Sequence, residues 1–150
     1  MEVSNVDFIQ AICPLLFSGH KVRLRVKGNS MRPILKDGRD QVVLVAARSI
    51  KEGDLVLAQV QTGCYMLHRV IHKDGKRLIL MGDGNLTGTE CCLCTDVVGK
   101  VIMLIRKGRW IRTDGFLFWL YSIIWMQLNP LKRYLLVVYK LMRGTNGKRK

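Results

Sequence analysis

Lys21-Val22-Arg23-Leu24-Arg25-Val26-Lys27-Gly28-Asn29-Ser30-Met31-Arg32-Pro33 is the stretch from which the fold is most directly inferred. Its first seven residues alternate strictly between basic and apolar side chains, which is the period-two pattern of a half-buried β-strand. Glycine and proline among the next six residues predict a turn. The stretch therefore predicts a strand that ends in an exposed turn carrying Ser30.

Further short strands are predicted along most of the chain, at spacings of about 8–12 residues that favour an all-β, barrel-like or coiled core. The predicted strands are Gln41–Ala46, Leu55–Val60, Cys64–Ile71, Arg77–Met81, Asp96–Ile105 and Arg109–Ile111. A hairpin turn is expected at Asp74-Gly75, the pair that two-residue hairpin loops prefer. Gly82–Glu90 is predicted to be a glycine-rich loop. We therefore expect a mainly β fold.

Helical patterns are predicted at both ends of this β-region. Asn5–Ser18 places apolar residues on roughly one helical face, with Ser4 or Asn5 as the candidate cap and Gly19 as the stop. We therefore expect a β-domain with an N-terminal helix over residues 1–113.

The composition changes after about Thr113. Residues 116–126 are rich in aromatic side chains, Pro130 interrupts the pattern, and residues 131–142 resume it with added Lys and Arg. This predicts a basic, aromatic-rich helical appendage over residues 114–150, with a disordered tail from Gly144.

The charge of the chain is concentrated in that appendage. The whole chain has 25 Lys and Arg against 11 Asp and Glu, and residues 100–150 contain twelve basic residues and a single acid, Asp114. Such a segment suits nucleic acid or an anionic membrane surface. The sequence contains no recognised nucleic-acid motif, so no specific nucleic-acid partner is expected.

Two placements of the appendage follow from its composition. In one, its aromatic and basic residues lie at a membrane interface, which makes the protein peripherally membrane-associated through residues 115–150. In the other, its apolar faces pack on the β-domain and the protein resides in the cytoplasm. No secretory leader and no run of about 20 apolar residues is evident in the sequence.

Five cysteines, an odd number, fit an oxidising compartment poorly. Cys91, Cys92 and Cys94 lack the two-residue gap of zinc knuckles, so we expect reduced thiols in or near a strand and no metal. No cofactor is predicted.

Four short motifs occur in order along the predicted β-region. They are Gly28–Pro33, Asp37–Leu44, Glu52–Leu57 followed by Leu67-His68-Arg69-Val70, and Gly82-Asp83-Gly84-Asn85. Together they resemble the superfamily of type I signal peptidases and self-cleaving phage-type repressors, over Val22–Ile105. The resemblance implies a coiled, mostly antiparallel β-structure and peptide-bond cleavage by a serine nucleophile. Histidine in an His-Arg-Val context resembles the branch of endoplasmic-reticulum, archaeal and sporulation-type signal peptidases.

The resemblance implies a role for each site residue. Ser30 is the expected nucleophile and His68 its general base, since a serine hydroxyl needs a base and histidine titrates near neutrality. Asp83 is expected to orient the imidazole, but the second acid of the Ser–His members falls at Thr89, with Glu90 beside it. Asp83 and Glu90 therefore remain alternatives.

Two neighbours of Ser30 complete the predicted site. Asn29, through its side chain, is a candidate oxyanion donor together with the Ser30 N–H. Met31 either contacts the substrate or anchors the turn.

The predicted function is a serine endopeptidase of the signal-peptidase type that cuts a peptide or protein substrate, with leader sequences among the candidates. The alternative is a non-catalytic peptide-binding module on the same fold. A separation between Ser30 and His68 beyond about 5 Å would favour that alternative.

Overall fold

The structure is a computed structural model that describes residues 2–3, 6–85, 87–128 and 131–145. The described residues form nine strands and three α-helices, one at the N-terminal end and two at the C-terminal end. In chain order these elements are β1 Glu2–Val3, α1 Val6–Phe17, β2 Val22–Arg25, β3 Gln41–Val45, β4 Leu55–Gln61, β5 Cys64–Asp74, β6 Arg77–Met81, β7 Glu90–Leu93, β8 Val97–Arg106, β9 Arg109–Arg112, α2 Phe116–Gln127 and α3 Lys132–Thr145.

All nine strands belong to one antiparallel sheet. The strand order is β2-β3-β8-β4-β5-β6-β7, with β1 paired to β5 and β9 paired to β8. Register shifts interrupt several ladders, for example between Val43 and Leu44 where β3 meets β8. Such bulges increase local twist and bend a sheet. The predicted fold class, mainly β with an N-terminal helix and a C-terminal helical appendage, is confirmed.

The main core lies between α1 and one side of this sheet. The helix buries Ile9, Ile12 and Leu16, whose spacing of three and four residues places them on one face. They pack with strand residues such as Leu44 and Leu57, both at most 1% exposed. Burial of each such side chain stabilises the fold by about 1.5–3 kcal/mol. A smaller cluster, which includes Val70 and Leu80, fills the region near β5 and β6.

Two strands were not expected from the sequence. The predicted loop at residues 82–90 ends one residue earlier, because Glu90 begins β7. This strand, Glu-Cys-Cys-Leu, has no β-branched residue and follows a polar, glycine-containing stretch, so it lacks the usual strand signals. The two-residue β1 pairs with Met66 and Tyr65 of β5.

Some sequence predictions fall outside the described residues, namely the caps Ser4 and Asn5, the break at Pro130 and the tail residues 146–150. The division into residues 1–113 and 114–150 stays a prediction. Among the described helices, none combines the length and the apolar character needed to cross a membrane.

Candidate active site

The turn after β2 holds Ser30 at the surface. Met31 is 1% exposed and packs in the main core with Leu35, whose N–H donates to the Met31 carbonyl at 3.0 Å. Arg32 closes the turn by donating its N–H to the Asn29 carbonyl at 3.1 Å. Ser30 stays partly exposed beside the buried Met31. The burial of Met31 favours the predicted anchoring role over contact with a substrate.

The loop Gly82–Asn85 braces this turn from the other side. Gly84 donates its N–H to the Ser30 carbonyl at 2.7 Å. A Cβ on Gly82 would lie 2.4 Å from that same carbonyl oxygen, and a Cβ on Gly84 would lie 2.9 Å from the Asn29 carbonyl oxygen. Both distances are shorter than a non-bonded contact allows, so two glycines are required for the loop to approach the turn. The first and last sequence motifs are therefore one packed unit.

His68 lies on β5, where Val56 of β4 is its partner. Its side chain is buried, with 2% of its area exposed. The Nε2 atom lies 3.2 Å from Ser30 Oγ, and the Nδ1 atom lies 2.9 Å from Glu90 Oε2. Both ring nitrogens thus face a predicted site residue, and Ser30, His68 and Glu90 form a continuous line of polar contacts.

Sheet register explains how Glu90 reaches His68. Leu80 of β6 pairs with Val70 on one side and with Glu90 on the other. His68 is two residues from Val70 along β5, so the alternation of side chains places both on the same face. The unexpected strand β7 therefore carries the carboxylate onto the histidine's side of the sheet.

Burial sets the electrostatics of this pair. It lowers the pKa of His68 to about 3 and raises the pKa of Glu90, because a low-dielectric site disfavours each charged form. The imidazole is therefore neutral at neutral pH. Because a carboxylate only accepts hydrogen bonds, Nδ1 is the nitrogen that carries the proton, which leaves Nε2 as an acceptor facing Ser30.

Asp83, the other candidate for the orienting acid, faces Arg69 instead. Its Oδ1 and Oδ2 accept hydrogen bonds from Nε and Nη2 of Arg69, both at 2.7 Å. The two side chains are each 1% exposed. Arg69 follows His68 on β5, so its side chain leaves the strand on the opposite face. The geometry thus separates the two acids and puts Glu90, not Asp83, beside the imidazole.

A comparison with protein families covers the part of the chain that holds these residues. The family described as Peptidase S24-like matches residues 4–102, about two-thirds of the chain. The chain belongs to the Peptidase S24-like family. No curated protein matches the chain.

Membership in the Peptidase S24-like family confirms the predicted superfamily of signal peptidases and self-cleaving repressors. It indicates the activity of a serine peptidase or a self-cleaving repressor. The matched region contains Ser30, His68, Asp83 and Glu90, and it ends before β9, α2 and α3.

Beyond the region matched to the Peptidase S24-like family, α2 contacts the buried ion pair. Arg69 Nη1 donates to Ser122 Oγ at 2.5 Å and to the Gly53 carbonyl at 2.9 Å. Trp125 donates its indole N–H to the Asp83 carbonyl at 3.1 Å. This cluster was not predicted from the sequence. The signal that could have indicated it is an arginine inside an apolar strand, where an unpaired charge is not tolerated.

A cavity of about 370 Å³ opens at Ser30. One wall is formed by Asn29, Ser30 and Arg32 of the turn together with the Gly84-Asn85 loop. The opposite wall is the α3 segment 136–140, which contributes Leu136, Val137, Tyr139 and Lys140. Asn29 is exposed in this cavity next to the serine. Among the described residues, no cluster of three or more His, Cys, Asp or Glu side chains is arranged to hold a metal ion.

Proposed function

We propose that this chain is a serine endopeptidase of the signal-peptidase type, with Ser30 as nucleophile, His68 as general base and Glu90 as the acid that orients the base. The line of contacts from Ser30 Oγ to His68 Nε2 at 3.2 Å, and from Nδ1 to Glu90 Oε2 at 2.9 Å, carries this proposal. Both distances lie within the reach of a nucleophile, a base and an orienting group.

In the proposed reaction, Ser30 Oγ attacks the carbonyl carbon of the scissile peptide bond while its proton moves to His68 Nε2. The tetrahedral intermediate carries a negative oxygen, to which the Ser30 N–H and the Asn29 amide donate. The imidazolium then gives its proton to the departing amine, and the acyl-enzyme remains. Water then attacks the ester while His68 takes its proton, and the imidazolium returns that proton to Ser30 Oγ as the acyl–Oγ bond breaks and the acid product leaves.

Glu90 contributes by holding the tautomer. Its carboxylate accepts a hydrogen bond from Nδ1–H, so Nε2 presents a lone pair to the serine. When the imidazolium forms, the same carboxylate stabilises the positive charge, and this stabilisation is stronger in a buried site than in water. Because burial keeps the resting imidazole uncharged, the base is ready at neutral pH.

The cavity at Ser30 supports a polypeptide substrate. Its 370 Å³ is at the lower end of the volumes of binding pockets, so it suits one or two side chains of an extended segment. Leader sequences are the substrate class that the signal-peptidase resemblance favours. Leu136 and Val137 offer apolar contacts there.

The test compares wild type with Ser30→Ala, His68→Gln and Glu90→Gln on a pool of leader-bearing peptides, with products identified by mass spectrometry. We expect each of the first two variants to lose at least about a thousandfold in activity. Ser49→Ala and His72→Gln are matched controls, because both residues are exposed, and they should retain activity. Intact mass spectrometry reports self-cleavage. A wild-type mass below 17.2 kDa, together with a full-length mass for Ser30→Ala, would show that the protein cuts its own chain.

A different outcome would favour the binding module. If wild type and Ser30→Ala behave alike, and a fluorophosphonate leaves Ser30 unlabelled in a folded protein, the peptidase proposal is wrong. Binding of peptide without cleavage would then support a non-catalytic role for the same cavity.

A further inference from the structure

The C-terminal helices expose an unusual amount of apolar surface. Nineteen large apolar side chains are exposed among the described residues, and thirteen of them lie between Phe116 and Met142. On α2 the outer side chains include Leu117, Trp119 and Ile124, at 79%, 50% and 47% exposure. The helix has no charged residue.

A helix that is apolar on all sides is normally covered on all sides. The inner face of α2 is covered, since Phe118, Ser122 and Trp125 are buried. The outer face of α2 and the exposed side of α3, which includes Leu141 and Met142, are open to solvent. An exposed apolar surface of this extent marks a site of interaction.

Basic side chains stand beside this apolar surface. A cavity of about 880 Å³ lies where the two helices meet the region of β8 and β9, and its lining includes Leu117 and Phe118. Five basic side chains also line it, namely Lys36, Arg39, Arg106, Lys107 and Arg143. Their acidic neighbour Asp40 is buried and binds Arg39 through both of its oxygens. The cavity is therefore positively charged at its edge and apolar within.

We propose that α2 and α3 form a docking surface for an anionic lipid bilayer, with lipid headgroups at the basic edge of this cavity. The exposed apolar side chains would enter the interfacial layer, as those of amphipathic interfacial helices do. Trp119 and Tyr134, at 50% and 69% exposure, carry the amphipathic rings that favour headgroup depth. Lys107 and Arg143, both exposed, would meet the phosphates.

Charge argues against a second copy of the chain as the occupant. A twofold interface places the same patch on both subunits, so it would bring two basic clusters together. A nucleic acid would satisfy the charges but would leave the apolar side chains uncovered. An anionic bilayer matches both properties at once.

The docking surface does not depend on the proposed peptidase activity. It adjoins that site through α3, whose Leu136 and Val137 line the cavity at Ser30. Docking by α2 and α3 would therefore bring the mouth of that cavity close to the bilayer.

The test uses the full-length Ser30→Ala protein, so that cleavage plays no part. It measures flotation with unilamellar vesicles of phosphatidylcholine alone, or of phosphatidylcholine mixed with phosphatidylglycerol. We expect binding to the anionic vesicles that falls steeply with added salt. The double variant Lys107→Gln and Arg143→Gln should bind about thirty-fold more weakly, since each basic residue at an anionic surface contributes about fivefold. The matched control, Lys76→Gln with Arg77→Gln on the exposed β5–β6 turn, should stay within about threefold of the parent.

A second variant, Leu117→Gln with Ile124→Gln, tests the apolar contribution and should lose at least about tenfold. Circular dichroism is used to check that each variant is folded. The proposal is overturned by absence of vesicle binding, by equal binding to neutral and anionic vesicles, or by equal losses in the basic variant and its control. It is also overturned if sedimentation shows a dimer in vesicle-free buffer that Leu117→Gln with Ile124→Gln dissociates.

Discussion

Replacing Asp83 by Asn should strongly lower the free energy of unfolding and should have a much smaller effect on the chemistry at Ser30. The substitution removes the charge that balances Arg69, a side chain that is 1% exposed and donates twice to the carboxylate at 2.7 Å. Breaking a buried ion pair from one side leaves an uncompensated charge and destabilises a fold by about 3–5 kcal/mol. This is a large part of the stability of a domain, which is about 5–15 kcal/mol.

The assay is urea unfolding followed by circular dichroism, with the slope of the transition checked for constancy. Two comparisons isolate the cause. Arg69→Met combined with Asp83→Leu removes both charges and should recover most of the loss. Glu90→Gln should change stability by less than about 1 kcal/mol, since its side chain is 28% exposed, while it strongly lowers the rate of cleavage. A loss below about 1 kcal/mol for Asp83→Asn, with a specific loss of activity, would refute the assignment of the two acids.

Three further perturbations follow from the geometry. Gly82→Ala should destabilise the fold by about 1–3 kcal/mol in urea unfolding, because its Cβ would lie 2.4 Å from the Ser30 carbonyl oxygen; Gly115→Ala, with its nearest contact at 3.6 Å, should be tolerated. In the folded protein the pKa of His68 is about 3, so below about pH 6.5 the unfolded protein binds a proton at His68 that the folded protein does not. The free energy of unfolding should therefore fall as the pH drops below about 6.5. Between pH 7 and pH 5 the wild type should lose about 2 kcal/mol more free energy of unfolding than His68→Gln does. A difference between the two proteins that stays constant with pH would contradict this prediction. Trp125→Phe removes a buried indole donor to the backbone of the paired aspartate and should reduce the free energy of unfolding by about 1 kcal/mol; no change would show that this bond contributes nothing.

Much of the fold was predictable because the sheet presents strong periodic signals. The alternation over Lys21–Lys27 and the Asp74-Gly75 turn are local patterns, and the structure has a strand or a hairpin turn at each. Boundaries of the predicted strands differ by at most three residues, the largest difference being at the end of β5, which continues to Asp74. Pairings between strands distant in sequence, such as β3 with β8, have no local signal, since they depend on which faces bury each other.

The candidate site was predictable to the level of residue type and order. The motifs indicated Ser30 and His68, and the structure brings their side chains to 3.2 Å. Choosing between the acids required the register of β7, which no residue in Glu90–Leu93 signals strongly. A tally of acidic residues near a motif does not reveal which side of the sheet each carboxylate faces.

His68 and Arg69 are neighbours on β5, and each contacts one of the two acids, Glu90 and Asp83. Alternation along β5 sends the His68 side chain towards Ser30 and the Arg69 side chain to the opposite face, where Asp83 neutralises it. Asp83 belongs to the loop whose glycines pack against the turn that carries Ser30, so the buried ion pair fixes the loop and the loop fixes the position of Ser30. Because Ser122 and Trp125 of α2 bind the two residues of that ion pair, α2 stabilises the loop that holds the Ser30 turn in place. An inward-facing arginine directly after a candidate base is therefore itself a signal that a second, structural carboxylate must exist nearby.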